Sequence, residues 1–188
     1  LGIGHPLSHS SYLINLASPE RTLWKKSING FVVELERAGR LGIPYVVLHP
    51  GSFTTSSESA GLKRVIKALD EVDQQLDGSG ANCLLETTAG QGSNLGWRFE
   101  HLATILDGVK NPERLGVCFD TCHVFAAGYS LSTRYAYRKT MKELDDTVGL
   151  DRIKAFHLND SKSEPGSRVD RHEQIGQGKM GVGPFRFL

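Results

Sequence analysis

A chain of 188 residues has the size of one domain, and its 22 basic against 21 acidic side chains leave a formal net charge of +1. That balance excludes a globally basic nucleic-acid coat, which would neutralise phosphates along a whole face. With 39% hydrophobic and 23% charged residues there is a core to bury and no segment biased enough for disorder. No apolar stretch approaches the ~18 residues that span a bilayer, so no membrane partner is expected. Three cysteines are not a disulfide scaffold, and a reducing, cytoplasmic setting is the expectation. The opening LGIGHPLSHSS carries neither an initiator Met nor a signal-peptide layout and reads as the middle of a longer chain.

In chain order, a short strand is expected just before His9. Ser18-Pro19-Glu20 then reads as a helix start, with Ser18 as cap and Pro19 at the first helical position. Trp24, Ile28, Val32 and Leu35 recur on one face of that helix, and Gly39 is the expected stop. Residues 43–48 form an apolar run of strand length. Leu62, Val65, Leu69, Val72 and Leu76 follow as a helical stripe ended by Gly78. The runs 82–85, 115–119 and 153–156 continue the strand series, separated by the stripes Phe99, Leu102, Leu106, Val109 and Tyr137, Met141, Leu144, Val148. The first three runs are nearly continuous hydrophobes, as strands buried on both faces require, and the stripes are core-facing. Strand followed by helix, repeated, predicts right-handed crossovers and a parallel sheet. The fold class is therefore α/β: an incomplete (β/α)8 TIM barrel of about five βα units, with residues 1–188 as a single partial-barrel domain. A closed barrel takes ~250 residues. An open doubly wound sheet is the alternative.

One regularity points to chemistry. Each apolar run ends on a metal-capable residue: Leu48 precedes His49, Leu85 precedes Glu86, Phe119 precedes Asp120 and Phe156 precedes His157, with His9 ahead of the series. Parallel strands all end on one side of the sheet, which in a barrel is where active sites are built. His123 follows Asp120 closely, and Asp170-Arg171-His172 places a carboxylate and an imidazole two residues apart. Mixed nitrogen and oxygen ligands suit zinc or manganese rather than calcium. His9, His49, Glu86, Asp120, His123, His157, Asp170 and His172 together exceed the needs of one ion, so two or three are expected, with a carboxylate such as Glu86 bridging. Such clusters suit phosphodiester hydrolysis, because the ions acidify a water and clamp the attacking and leaving oxygens. Cys118 and Cys122 read as buried wall residues, and His5 and His101 as ordinary. The loop 86–92 lacks the Lys-Ser/Thr ending of a P-loop and reads as a turn.

Six motifs carry a resemblance along essentially the whole length: HSSYLINL from His9, HPGS from His49, ETTAGQG from Glu86, DTCH from Asp120 with AAGY from Ala126, HLNDS from His157, and VDRH from Val169 followed by GQG from Gly176. In that order they resemble the endonuclease IV family of abasic-site DNA repair enzymes. The resemblance implies a TIM-barrel, three-zinc phosphodiesterase, with manganese as a possible substitute, acting as a monomer in base excision repair. It would cut double-stranded DNA on the 5′ side of an abasic site. It also implies roles. His9, His49 and Glu86 would hold one zinc; Glu86 would bridge to a second held by Asp120 and His157; His123, Asp170 and His172 would hold the third. Tyr12 and Leu13 match the part that probes the minor groove and fills the gap in the base stack, and Arg171 matches a residue placed to meet phosphate. The family's chain is longer at both ends, so its first two βα units and a last-strand glutamate to the second zinc are expected outside this sequence. The alternative function is a divalent-metal sugar isomerase or epimerase on the same barrel. It would need neither the Asp-Arg-His loop, nor His123, nor the Tyr12-Leu13 pair.

Overall fold

The computed structural model describes residues 4–188. Five strands, β1 (Leu7–His9), β2 (Tyr45–Leu48), β3 (Asn82–Glu86), β4 (Leu115–Asp120) and β5 (Ile153–His157), pair in parallel in the order of the chain. In a doubly wound sheet the strand order reverses at a switch point. Here every strand lies beside its sequence neighbour, so the sheet winds in one direction and forms the half-barrel of an incomplete TIM barrel. Helices α1 (Arg21–Arg40), α2 (Glu58–Leu76), α3 (Phe99–Gly108) and α5 (Arg134–Thr147) fill the crossovers.

Strand alternation separates two environments. Val46, Leu48, Cys83, Leu85 and Val117 face the helices, where they join Ile28, Phe31, Leu35, Val65, Leu69 and Leu102 in the main core. Val47, Leu84, Cys118 and Ala155 face the barrel axis and make a separate apolar layer. Two residues further along the same strands stand His49, Glu86, Asp120 and His157. The polar layer thus rests directly on a floor of apolar side chains, as the layered interior of a barrel dictates.

Several local expectations are corrected. Ser18 is not the cap of α1: Glu20 is, its carboxylate accepting from Thr22 N at 2.7 Å and Leu23 N at 2.8 Å. Ser18 Oγ instead accepts the Glu20 N–H two residues on, at 3.1 Å, and Pro19 lies ahead of the helix rather than at its first position. Gly39 does not stop the helix, which runs to Arg40. It is a point of close approach, because a Cβ there would lie 2.8 Å from the Gly80 Cα. Gly39→Ala is therefore expected to lower stability by about 2 kcal/mol, the usual cost of overpacking against backbone that cannot yield, and thermal melts of the variant measure it. Asp77, rather than Gly78, takes the left-handed C-cap of α2.

Three short elements carry no periodicity of their own, one a helix and the others a strand pair. The helix is the short α4 (Thr121–Ala127), which starts at the end of β4. The others are the antiparallel pair β6 (Asp160–Ser161) and β7 (His172–Glu173), which returns the chain to the mouth of the barrel. No helix among the described residues is long and apolar enough to cross a membrane. Cys83, Cys118 and Cys122 are free and buried.

Candidate metal centre

The strand ends converge as the spacing predicts. Glu86, 1% exposed, sits at the centre with imidazoles on both of its oxygens. Oε2 lies 2.8 Å from His9 Nε2 and 3.0 Å from His49 Nε2. Oε1 lies 2.7 Å from His157 Nδ1 and 3.6 Å from His123 Nδ1. One carboxylate therefore faces two separate groups of ligand-capable atoms.

The third group is equally compact. His123 Nε2 is 3.1 Å from Asp170 Oδ2 and 3.2 Å from His172 Nε2, and His172 Nε2 is 3.3 Å from Asp170 Oδ1. Asp120 stands between the groups, its Oδ2 3.9 Å from both His157 Nδ1 and His172 Nε2. Its Oδ1 caps α4 by accepting the His123 N–H at 2.8 Å. All eight residues singled out as ligands are thus brought to one mouth.

The hydrogen bonds around these rings test whether divalent ions suit the cluster. A carbonyl oxygen only accepts, so His9 Nδ1–H donates to Ser10 O at 2.9 Å and His123 Nδ1–H donates to Thr87 O at 2.8 Å. In the neutral ring each Nε2 then carries a lone pair. Those lone pairs point at carboxylate oxygens at 2.8 and 3.1 Å. That contact is repulsive unless a cation lies between, either a proton on the ring or a metal ion. A backbone carbonyl on the far nitrogen is also how metal-binding imidazoles are commonly oriented. Nitrogen and carboxylate donors in this arrangement fit divalent ions.

The electrostatics follow from the same contacts. Burial pushes the Glu86 carboxyl upward, but hydrogen bonds from His157, His49 and His9 outweigh it and hold the group far below the carboxylate range. Burial opposes the charge on His123, yet Asp170, Asp120 and Glu86 together raise it to about 9. His9 and His157 are raised chiefly by their hydrogen bonds to Glu86. Asp170 is lowered chiefly by its bond to His123. The cluster is built to hold positive charge against buried carboxylates.

Tyr12 and Leu13, 93% and 67% exposed, project beside this mouth. Their loop is fastened from below: Asn15 Oδ1 accepts from Ser52 N at 2.9 Å and Asn15 Nδ2 donates to Ser52 O at 3.0 Å. Glu34 of α1 accepts the Ser11 N–H at 3.1 Å. A cleft lined by His9, Ser11, Tyr12, Asn15, His49 and Asp170 runs between the loop and the cluster. Arg171 is exposed, and Nη1 donates to the Asp170 carbonyl at 2.6 Å. It lines a second cleft with Ser52, Gln91 and Ser93.

Spacing arguments missed the residues that hold the ligands in place. Asn159 Nδ2 donates to Asp120 Oδ2 at 2.7 Å, and Thr87 Oγ1 accepts the Asp120 N–H at 2.9 Å. Gln91 Oε1 accepts the Asp170 N–H at 3.0 Å. The only signal for them was their place inside the ETTAGQG and HLNDS motifs. His101 is buried outside the ligand groups, accepts the Gly96 N–H on Nδ1 at 3.1 Å, packs edge-on against Trp97 and has Nε2 3.2 Å from Glu58 Oε1. Cys118 lies beside Glu86 and His157, and Cys122 beside Asp170 and His172. Burial raises both thiols, that of Cys122 to about 11.

Residues 2–188 match the family described as xylose isomerase-like TIM barrel. A probable endonuclease 4 from Trichlorobacter lovleyi is 52% identical over 187 residues, spanning 100% of this chain and 66% of its own length. The chain belongs to the endonuclease IV family. Among solved structures, endonuclease IV from Thermus thermophilus superimposes with a TM-score of 0.83 at 39% identity, covering 96% of this chain and 62% of that one. A D-tagatose 3-epimerase-like protein superimposes with a TM-score of 0.74 over 92% of this chain and 61% of that one. At 23% identity, that likeness concerns the barrel alone. The chain thus spans 66% of the length of its endonuclease 4 relative.

Proposed function

We propose that this chain is the metal-bearing part of a zinc-dependent endonuclease that hydrolyses the phosphodiester 5′ to abasic sites in double-stranded DNA during base excision repair. The observation that carries the reading is the division of the Glu86 carboxylate between two imidazole groups, with a third group at His123, Asp170 and His172 beside it. His9, His49 and Glu86 would hold one ion. Glu86, Asp120 and His157 would hold a second, and His123, Asp170 and His172 a third. When bound, divalent ions acidify a water and neutralise charge developing on the phosphate.

The chain's own residues do the rest. The Ser10 and Thr87 carbonyls keep His9 and His123 in the tautomer that leaves Nε2 free. Asn159 and Thr87 hold Asp120 in register with both neighbouring groups. Arg171 meets the phosphate at the rim with its guanidinium. Tyr12 and Leu13 enter the minor groove and fill the gap where a base is missing; an abasic site has lost part of the stacking that a wedge must otherwise break.

With the complete polypeptide, an abasic duplex should be nicked on the 5′ side of the lesion, and a chelator should abolish the activity slowly. Elemental analysis should find about three ions per chain, as the three ligand groups require. A single ion, or turnover of ketoses to aldoses without nicking, would favour the sugar isomerase or epimerase reading instead. Tyr12→Ala should weaken binding to abasic duplex about tenfold, with much less effect on intact duplex. Equal weakening of both would remove the wedge role.

A further inference from the structure

Asp160 takes no part in the ligand groups, yet it is the most thoroughly bonded carboxylate near them. It is fully buried, and among the described residues it has no ion-pair partner. Its oxygens are satisfied by main-chain amides instead. Oδ1 accepts from Ser161 N at 2.7 Å and Met180 N at 2.9 Å, and Oδ2 accepts from Gly176 N and Gly178 N, both at 3.0 Å. A buried carboxylate without a cation is tolerable only when its acceptor sites are filled in this way.

The donors come from the two ends of one excursion of the chain. Residues 161–180 leave β6, carry Asp170, Arg171 and His172 to the mouth, and return to Met180, which is buried in the core beneath. Lys179 N–H donates to Ser161 O at 2.7 Å and Lys162 N–H to Arg171 O at 2.9 Å. Between these points the excursion is mostly exposed, so little apolar burial offsets the entropy of ordering it. Gly178 completes the fit, since a Cβ there would lie 2.5 Å from Asp160 Oδ1.

We infer that Asp160 is a positioning residue: it closes the base of the 161–180 loop and so presents Asp170 and His172 to His123. Metal capacity at that group then depends on a side chain that touches no ion. The inference rests on the reading of His123, Asp170 and His172 as a metal site. Asp160→Asn is the direct test, because an amide of the same size cannot accept on the side where its NH2 falls.

In the complete polypeptide loaded with zinc, D160N is expected to lose one ion per chain relative to wild type while the other ions remain. With the metal stripped, trypsin should cut at Lys162, Arg168, Arg171 or Lys179 about tenfold faster than in wild type, because cleavage follows the population of the opened loop. His172→Ala should lose the same ion without faster cleavage. A D160N protein with full metal content and wild-type protection overturns the inference, and so does a folded one that loses every ion alike. If D160N fails to fold, Gly178→Ala presses on both anchors of the loop base, the Ser161 carbonyl and the Asp160 carboxylate, and is read in the same two ways. Should wild type bind no zinc, the metal reading fails, while trypsin protection of the stripped protein still decides whether Asp160 closes the loop.

Discussion

Replacing Glu86 with Gln in the complete polypeptide should strip two of the three proposed ion sites and reduce the proposed nicking of abasic DNA by about a thousandfold or more. The direction follows from the division of labour between its oxygens: Oε2 faces His9 and His49, and Oε1 faces His157. An amide presents one oxygen and one NH2 group, so at least one imidazole pair would face a donor where an ion needs an acceptor. The lost charge is also what holds the cluster's positive groups in a buried setting. Supporting contacts around metal sites alone are worth roughly 10–100-fold in affinity, and a ligand shared by two ions should exceed that. Elemental analysis and a nicking assay, with thermal melts as the folding control, test it. Retention of three ions by E86Q would remove Glu86 from the bridging role.

The second large effect is a pH dependence that reverses on metal loading. In the metal-free protein His9, His157 and His123 titrate above their ordinary value, the last at about 9. A raised imidazole contributes stability that is complete below the unfolded value near 6.5 and is lost as pH rises through the folded value. Glu86 and Asp170 are held low, so their contribution is complete above the unfolded carboxylate range and is lost only in acid. Chelated protein should therefore be most stable between about pH 5 and 6.5 and should melt progressively lower towards pH 9. For His123 alone the shift corresponds to about 3 kcal/mol. A divalent ion bound there would replace those protons, and binding to unprotonated imidazoles strengthens as pH rises. Loaded protein should hold its melting temperature to pH 8 or gain. Calorimetric scans with and without chelator measure both curves. A chelated protein that grows steadily more stable up to pH 9 would contradict the charge assignment.

Much of the framework was legible because it rests on local rules. The helical stripes led by Trp24, Leu62, Phe99 and Tyr137 reflect the 3.6-residue period, and four of the five helices follow them. The apolar runs ending at His49, Glu86 and Asp120 are strands for the reason given by two-sided burial, whereas the run ending at His157 is a half-exposed strand held by its pairing with β4. Caps and stops were less legible. Glu20 displaced Ser18, and Gly39 proved to be a contact rather than an end, because both depend on what lies across a helix end rather than along it. The helix α4 escaped periodicity altogether, being specified by one side chain, Asp120, which reaches forward to the His123 amide.

By itself, then, the order of residues determined that imidazoles and carboxylates would arrive at one end of a parallel sheet, since strand direction and one-unit spacing follow from short-range periodicity. Only the tertiary structure decided that the sheet curls into a half-barrel instead of winding both ways, that Glu86 turns one oxygen to each of two groups, and that Asp160 ties down the loop bearing Asp170 and His172. Those outcomes depend on contacts between segments distant in the chain. Their distances and acceptor geometry arise only when the strands are packed side by side.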